Sequence, residues 1–211
     1  MSARPAANGV SRKRPEREAT RQRLDHLLAV TAALYAEKGY EATSMRDVSG
    51  AVGGSLAGLY HYCTGKEDLL YQLQYRTFAT LLEGQTERAR MAGTAEERFR
   101  RLVIGHLAFF VSHPNELKVC TYELESLQGE QYDTVEALRR KYHRLVSAVV
   151  GELMGESSPA GRESRRSRHA TLFIFGMLNW IFMWYDPARH GTAEEIGEEM
   201  LDLALHGLRR R

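Results

Sequence analysis

The sequence predicts an all-α protein, and three observations carry that prediction. Apolar residues recur at three- and four-residue steps through most of the chain, no segment alternates with period two, and only five prolines interrupt 211 residues. Hydrophobic residues make up 43% and charged residues 27%, the balance of a soluble globular protein with a sizeable core.

The elements follow in order. Residues 1–16, rich in Ala, Arg, Pro, Ser and Gly without apolar periodicity, are read as a disordered basic arm. Met1 to Arg23 holds seven basic residues against Glu16 and Glu18, leaving 22 basic and 25 acidic residues in the remainder. The excess positive charge therefore lies at the start of the chain, as a phosphate-contacting arm or as a solvated tail. From about Arg17 to Lys38, Leu24, Leu27, Leu28, Thr31, Leu34 and Tyr35 form one stripe, which Gly39 ends as a C-cap. Ser44 is placed to cap a short helix to about Ala51, with Asp47 as the capping-box acid. Gly53 and Gly54 turn the chain, and Ser55 caps a second short helix to about Tyr62. A longer helix starts near Lys66, with Glu67 and Asp68 where the helix dipole favours acids.

Beyond a break at Met91 to Thr94, helices are expected at about 95–112, 115–127, 131–154, 165–185 and 192–208, with a surface loop from Gly155 to Ser164. His113-Pro114 stops the first of these. Phe99, Leu102, Val103, His106 and Phe110 share its buried face.

Two short helices joined by a glycine turn, preceded by a longer supporting helix, are the arrangement in which a second helix enters the DNA major groove. Ala57 and Gly58 keep that helix thin enough for close approach to base edges, and Leu59 is expected in the core. The run Glu37-Lys38-Gly39-Tyr40-Glu41-Ala42-Thr43-Ser44-Met45-Arg46-Asp47-Val48, then Leu59-Tyr60-His61-Tyr62 and Lys66-Glu67-Asp68-Leu69-Leu70, resembles the N-terminal domain of the tetracycline-repressor-like (TetR) regulators. The resemblance covers about a quarter of the chain. It implies a helix-turn-helix domain at 17–65, a ligand-binding and dimerising domain at 66–211, and a homodimeric repressor released from a double-stranded DNA operator by a small molecule.

On the family pattern Ser44, Arg46, Tyr62 and Lys66 contact phosphate, and Ser55, Ala57, Gly58 and His61 meet the groove. Plainer readings compete: Ser44 and Ser55 as caps only, Arg46 as a partner of Glu41 or Asp47, Tyr60 as core. Cys63 stands where the family generally has Phe, and Gly65 where Ser is common. Cys63 is either a small buried residue or a redox-sensitive thiol.

The stretch from Leu172 to Tyr185 is apolar nearly all round, which asks for burial on more than one side. Met177, Trp184, Ile196, Met200, Leu203 and Leu208 are accordingly expected in a four-helix dimer interface. Gly176-Met177-Leu178-Asn179-Trp180, Trp184-Tyr185-Asp186-Pro187 and Ala193-Glu194-Glu195-Ile196 resemble a subgroup of the family that senses acyl-CoA thioesters. Apolar walls for such a ligand are available from Phe109, Phe110, Tyr122, Leu145, Phe175 and Trp180, with Asn179 nearby, and cations for its phosphates from Arg139, Arg140 and Lys141. An ordinary core and a solvated helix face are the alternatives. Other hydrophobic effectors, such as a drug or secondary metabolite, fit the same walls.

No HExxH, GxSxG or P-loop is present and the eight histidines are scattered, so neither catalysis nor a cofactor or metal is expected. A non-DNA-binding helical adaptor is the remaining alternative. Cys63 and Cys120 form no disulfide framework, the N-terminus lacks a secretory apolar segment, and Ala170 to Tyr185 is too short to span a bilayer. A cytoplasmic location without membrane anchorage follows as the expectation.

Overall fold

The structure is a computed structural model that describes residues 13–156 and 164–208. The chain is all-α: no strand occurs among the described residues. It divides into two compact units, with the boundary between Leu69 and Leu70. The expected arm at 1–16 lies largely outside the described residues; from Lys13 the backbone is already helical.

In the N-terminal unit, α1 (Lys13–Lys38) buries Leu27, Leu28, Ala32, Tyr35 and Ala36. Gly39, at φ +86°, ends it and donates its N–H to Tyr35 O at 3.0 Å. α2 (Met45–Val52) packs on α1 and contributes Val48, which is wholly buried. Gly53, at φ +72°, turns the chain into α3 (Leu56–Leu59). This helix is shorter than the sequence predicts. At His61 and Tyr62 the bonds run to carbonyls three residues back, His61 N to Gly58 O and Tyr62 N to Leu59 O, and Cys63 N shares Leu59 O, so the segment closes as tight turns. Leu59 is buried, as expected.

α4 (Lys66–Arg90) begins in the first unit and continues into the second. There α5 (Ala95–Val111) is the central helix, contacted by α7 (Gly129–Leu153), α8 (Arg165–Asn179) and α10 (Ala193–His206). All five residues of its predicted stripe are buried. Gly197 of α10 lies where a Cβ would come within 3.0 Å of Ile104 Cγ1, so its missing side chain permits the close α5–α10 approach.

Two expected helices are broken. The first is α6 (Pro114–Tyr122) followed by a 3₁₀ turn at Leu124–Ser126. Gln74 Nε2 donates to Glu123 O at 2.9 Å, while Leu127 N turns to Leu124 O, so the bond that would continue the helix is replaced. The second, read as 165–185, is α8 plus a 3₁₀ turn at Trp180–Met183. Asp186 precedes Pro187 and is extended, and its carboxylate caps α9 (Pro187–His190) by accepting from Ala188 N at 2.9 Å.

Candidate nucleic-acid interface and effector cavity

Local hydrogen bonding builds the exposed end of the N-terminal unit. Ser44 Oγ accepts from Asp47 N at 3.2 Å, and the Asp47 carboxylate accepts from Ser44 N at 2.8 Å, a closed capping box at the start of α2. The bond from the Ser44 side chain, then that from its backbone N–H, lowers the Asp47 carboxyl below its ordinary pKa. Ser49 Oγ donates to Gly54 O at 2.8 Å and ties the end of α2 to the turn. Ser55 Oγ accepts from Gly58 N at 3.1 Å and caps α3.

Ser55, Ala57, Tyr60 and His61 are exposed, and Gly58 and Tyr62 half-buried. Tyr60, at 52% exposure, is therefore not the core residue that one reading of the sequence expects: Leu59, one position earlier, takes the inward direction on so short a helix. Arg46 is exposed and pairs with neither Glu41 nor Asp47; the nearest cation to Asp47 is Lys38, at 4.0 Å. The Lys66 amine points back into the unit. It donates to Tyr40 O at 2.9 Å and Glu41 O at 3.3 Å and sits 4.1 Å from the centre of the Tyr40 ring. A groove beside α3 also brings in Arg23 and His26 of α1, facing Ser55, Gly58 and Tyr62. Sequence reasoning had not assigned these two to the surface around α3, although their spacing off the buried stripe of α1 was a signal.

Cys63 is buried, with its thiol donating to Leu59 O at 3.5 Å, and burial raises its pKa. That environment disfavours the reactive thiolate.

The C-terminal unit holds a cavity of about 310 Å³. Of the ten predicted ligand residues it brings together Phe110, Arg139, Arg140, Phe175 and Asn179. Phe109, Tyr122, Leu145, Trp180 and the exposed Lys141 are not on its wall. Phe109 and Leu145 pack against the core from outside, and Tyr122 and Trp180 are about half exposed because the helices carrying them break beside them. Sequence reasoning missed Tyr142, His143 and Leu172, and the place of His106 on this wall.

Arg139 donates from Nη1 to Cys120 O at 2.6 Å and lies 5.1 Å from the Phe78 ring centre; burial lowers its pKa. Arg140 is exposed and paired with Glu136. Burial pushes the Cys120 thiol up to about 12 and also raises Tyr142. His106 is pushed down to about 3 by burial, so its ring is neutral.

Among the predicted interface residues, Ile196 is 7% exposed and packs in the core of its own unit. The expectation that it contacts a second chain is therefore corrected: on α10 it lies on the face turned to α5. Trp184, Leu203 and Leu208 are exposed, Met177 and Met200 half-buried. Leu172, Phe173, Trp180 and Met183 extend the exposed apolar surface. No helix among the described residues is long and apolar enough to cross a membrane.

A capped two-helix unit set on a longer helix, followed by a separate helical unit with its own cavity, defines a helix-turn-helix transcriptional regulator. Residues 27–73 match the model of bacterial regulatory proteins of the tetR family, and residues 92–208 that of a tetracyclin repressor-like C-terminal domain; the chain belongs to the TetR family. The HTH-type transcriptional repressor KstR of Mycobacterium tuberculosis is 31% identical over 193 residues, 89% of this chain and 81% of the relative. PfmR, a TetR-family regulator from Thermus thermophilus, superposes with a TM-score of 0.76 at 31% identity, over 89% of this chain and 97% of its own. AibR, solved in complex with isovaleryl coenzyme A and operator DNA, gives a TM-score of 0.72 at 25% identity, over 86% and 97%.

Proposed function

We propose that the chain is a homodimeric repressor that binds a pseudo-palindromic operator through α2 and α3 and is released from it by a compact acyl- or aryl-CoA. The observation that carries the DNA half is the thin face of Ser55, Ala57 and Gly58, exposed but for the half-buried Gly58, on a helix fixed by its own serine cap, with the exposed His61 in the turn that follows. At Ala57 and Gly58 nothing is bulky enough to hold the backbone away from base edges. Arg46 and Tyr62, with Ser44 at the start of α2, flank it as phosphate contacts; the Lys66 ammonium holds the Tyr40–Glu41 turn and pairs with the exposed Glu41 carboxylate at 3.7 Å, a partner that a phosphate would replace. Arg23 and His26 extend the same surface.

Dimerisation is supported by the exposed apolar side chains of α8, the turn after it and α10, including Phe173, Trp184 and Leu203. Two copies joined there would present recognition helices to successive major grooves, about 34–36 Å apart. The effector reading rests on the cavity: its walls are mainly apolar, its volume is at the low end for small-molecule sites, and Arg139 is among its lining residues. A compact apolar group fits inside, with the anionic remainder of a CoA thioester directed to Arg139. AibR, with isovaleryl coenzyme A bound, is a structural relative that takes such a ligand.

Release requires the thioester to bind the DNA-incompetent state more tightly than the bound one. Titrating isovaleryl-, benzoyl- and long-chain acyl-CoAs into a preformed operator complex should release the DNA with at least one of them. Release by none, with an operator that the protein binds, would remove the CoA thioester from this reading.

A further inference from the structure

Three helices contribute a buried polar chain that packing alone does not need. Gln85 of α4, His106 of α5 and Tyr142 of α7 are each at most 3% exposed. Gln85 Nε2 donates to Leu102 O at 2.9 Å and to Tyr142 Oη at 3.0 Å, and His106 Nδ1 lies 2.9 Å from the same hydroxyl.

The direction of this chain follows from its chemistry. Leu102 O is only an acceptor, so the Gln85 atom facing it is the amide nitrogen, and that same NH₂ group donates to the Tyr142 oxygen. The Tyr142 hydroxyl proton is then left to donate to His106 Nδ1. A neutral imidazole that accepts at Nδ1 carries its proton on Nε2. Burial keeps the ring neutral. The Gln85–Tyr142 and Tyr142–His106 bonds thus run in one direction and end at His106, which with Tyr142 and Asn179 is on the cavity wall.

At the end of the chain a donor is left over. His106 Nε2 is buried and has no hydrogen-bond partner among the described residues; the Asn179 carboxamide stands close enough to oppose the fall in the ring's pKa but does not meet Nε2 at hydrogen-bonding geometry. Leaving a buried donor unmade costs more than a typical hydrogen bond contributes, so a ligand that completes it is favoured over one that does not.

We propose that His106 Nε2–H, with Asn179 beside it, is a specificity-determining donor that makes this cavity select compact apolar ligands bearing an acceptor oxygen over hydrocarbons of the same shape. The proposal rests on the cavity being the effector site, and it concerns the buried end of the ligand rather than its anionic end. A thioester or ketone carbonyl is the chemical class that satisfies it.

Acetophenone and α-methylstyrene share their shape and differ in an oxygen against a methylene, so they isolate the acceptor. Calorimetric titration of the full-length protein should show acetophenone binding about fivefold to tenfold more tightly. In His106→Phe, checked for folding by its melting curve, the ratio should fall toward one. Tyr142→Phe, which removes the group that fixes the tautomer, should give an intermediate ratio. On the wild type, a long-range ¹H–¹⁵N spectrum should show His106 protonated at Nε2, a readout that needs no variant. Equal affinities for the two compounds, binding of neither, or an Nδ1-protonated ring would overturn the proposal. Failure of every CoA thioester to release the operator, with the acetophenone preference intact, would instead count against the effector reading alone.

Discussion

The two units differ in the range over which their polar side chains bond. In the N-terminal unit Ser44 and Ser55 lie at the surface and cap two short helices, and the buried Ser49 ties the first of them to the turn, each bonding to backbone a few residues away. In the C-terminal unit the polar chain of Gln85, Tyr142 and His106 is inside, assembled from three helices and ending at a cavity. The first arrangement fixes an exposed face; the second leaves a single buried donor on the wall of a cavity.

The largest expected effect tests whether the exposed apolar surface of the C-terminal unit is covered by a second copy. Trp184→Asp alters both sides of a symmetric interface. At about 1.5–3 kcal/mol for each large apolar side chain, it should raise the dimer dissociation constant by roughly two to four orders of magnitude. Sedimentation velocity reads the change, and a variant that stays dimeric at nanomolar concentration would break the assignment.

The inward-facing donor predicts a pH effect. The folded-state pKa of His106 is about 3, below the unfolded value near 6.5, so the unfolded chain binds the extra proton. Stability should therefore fall as pH drops from about 6.5 toward 3, by up to about 1.4 kcal/mol per pH unit from this residue. Urea denaturation at pH 7 and pH 5 should show a shallower loss in His106→Phe than in the wild type; parallel losses would mean that the ring is not held neutral.

The same capping box occurs in both units, at Ser44–Asp47 and at Thr94–Glu97. Ser44→Ala and Thr94→Ala should each cost about 1 kcal/mol of stability. Only Ser44→Ala should also weaken operator binding beyond that cost, if Ser44 meets phosphate. Equal operator affinities for the two variants would reduce Ser44 to a cap. Smallest of all is the effect expected of mild oxidants: with Cys63 buried and its pKa raised, operator binding should not change. A loss that Cys63→Ser prevents would restore a redox role.

The sequence carried the N-terminal unit well because its signals are local. A capping serine and its acid, a glycine at positive φ and a three-to-four spacing all act within a few residues. Even there Tyr60 misled, since a four-residue helix has only one inward position at that end and Leu59 occupies it. The C-terminal cavity was legible only in part. Phe110, Phe175 and Asn179 stand on its wall, but His106 read only as one more member of an apolar stripe, and nothing local tied it to Tyr142, 36 residues away. The break at Glu123, set by Gln74 from another helix, and the burial of Ile196 against α5 are equally products of tertiary contact.

The central claim is that the face around Ala57 reads DNA. Fluorescence anisotropy with an operator selected from genomic fragments tests it most directly, with salt varied and Ala57→Glu compared with the wild type at matched melting temperature. Wild-type affinity should fall steeply and log-linearly with salt. The variant should lose about 1–3 kcal/mol per half-site, since a carboxylate replaces a methyl at the groove. Wild-type affinity in Ala57→Glu, or binding indifferent to salt, would contradict the account.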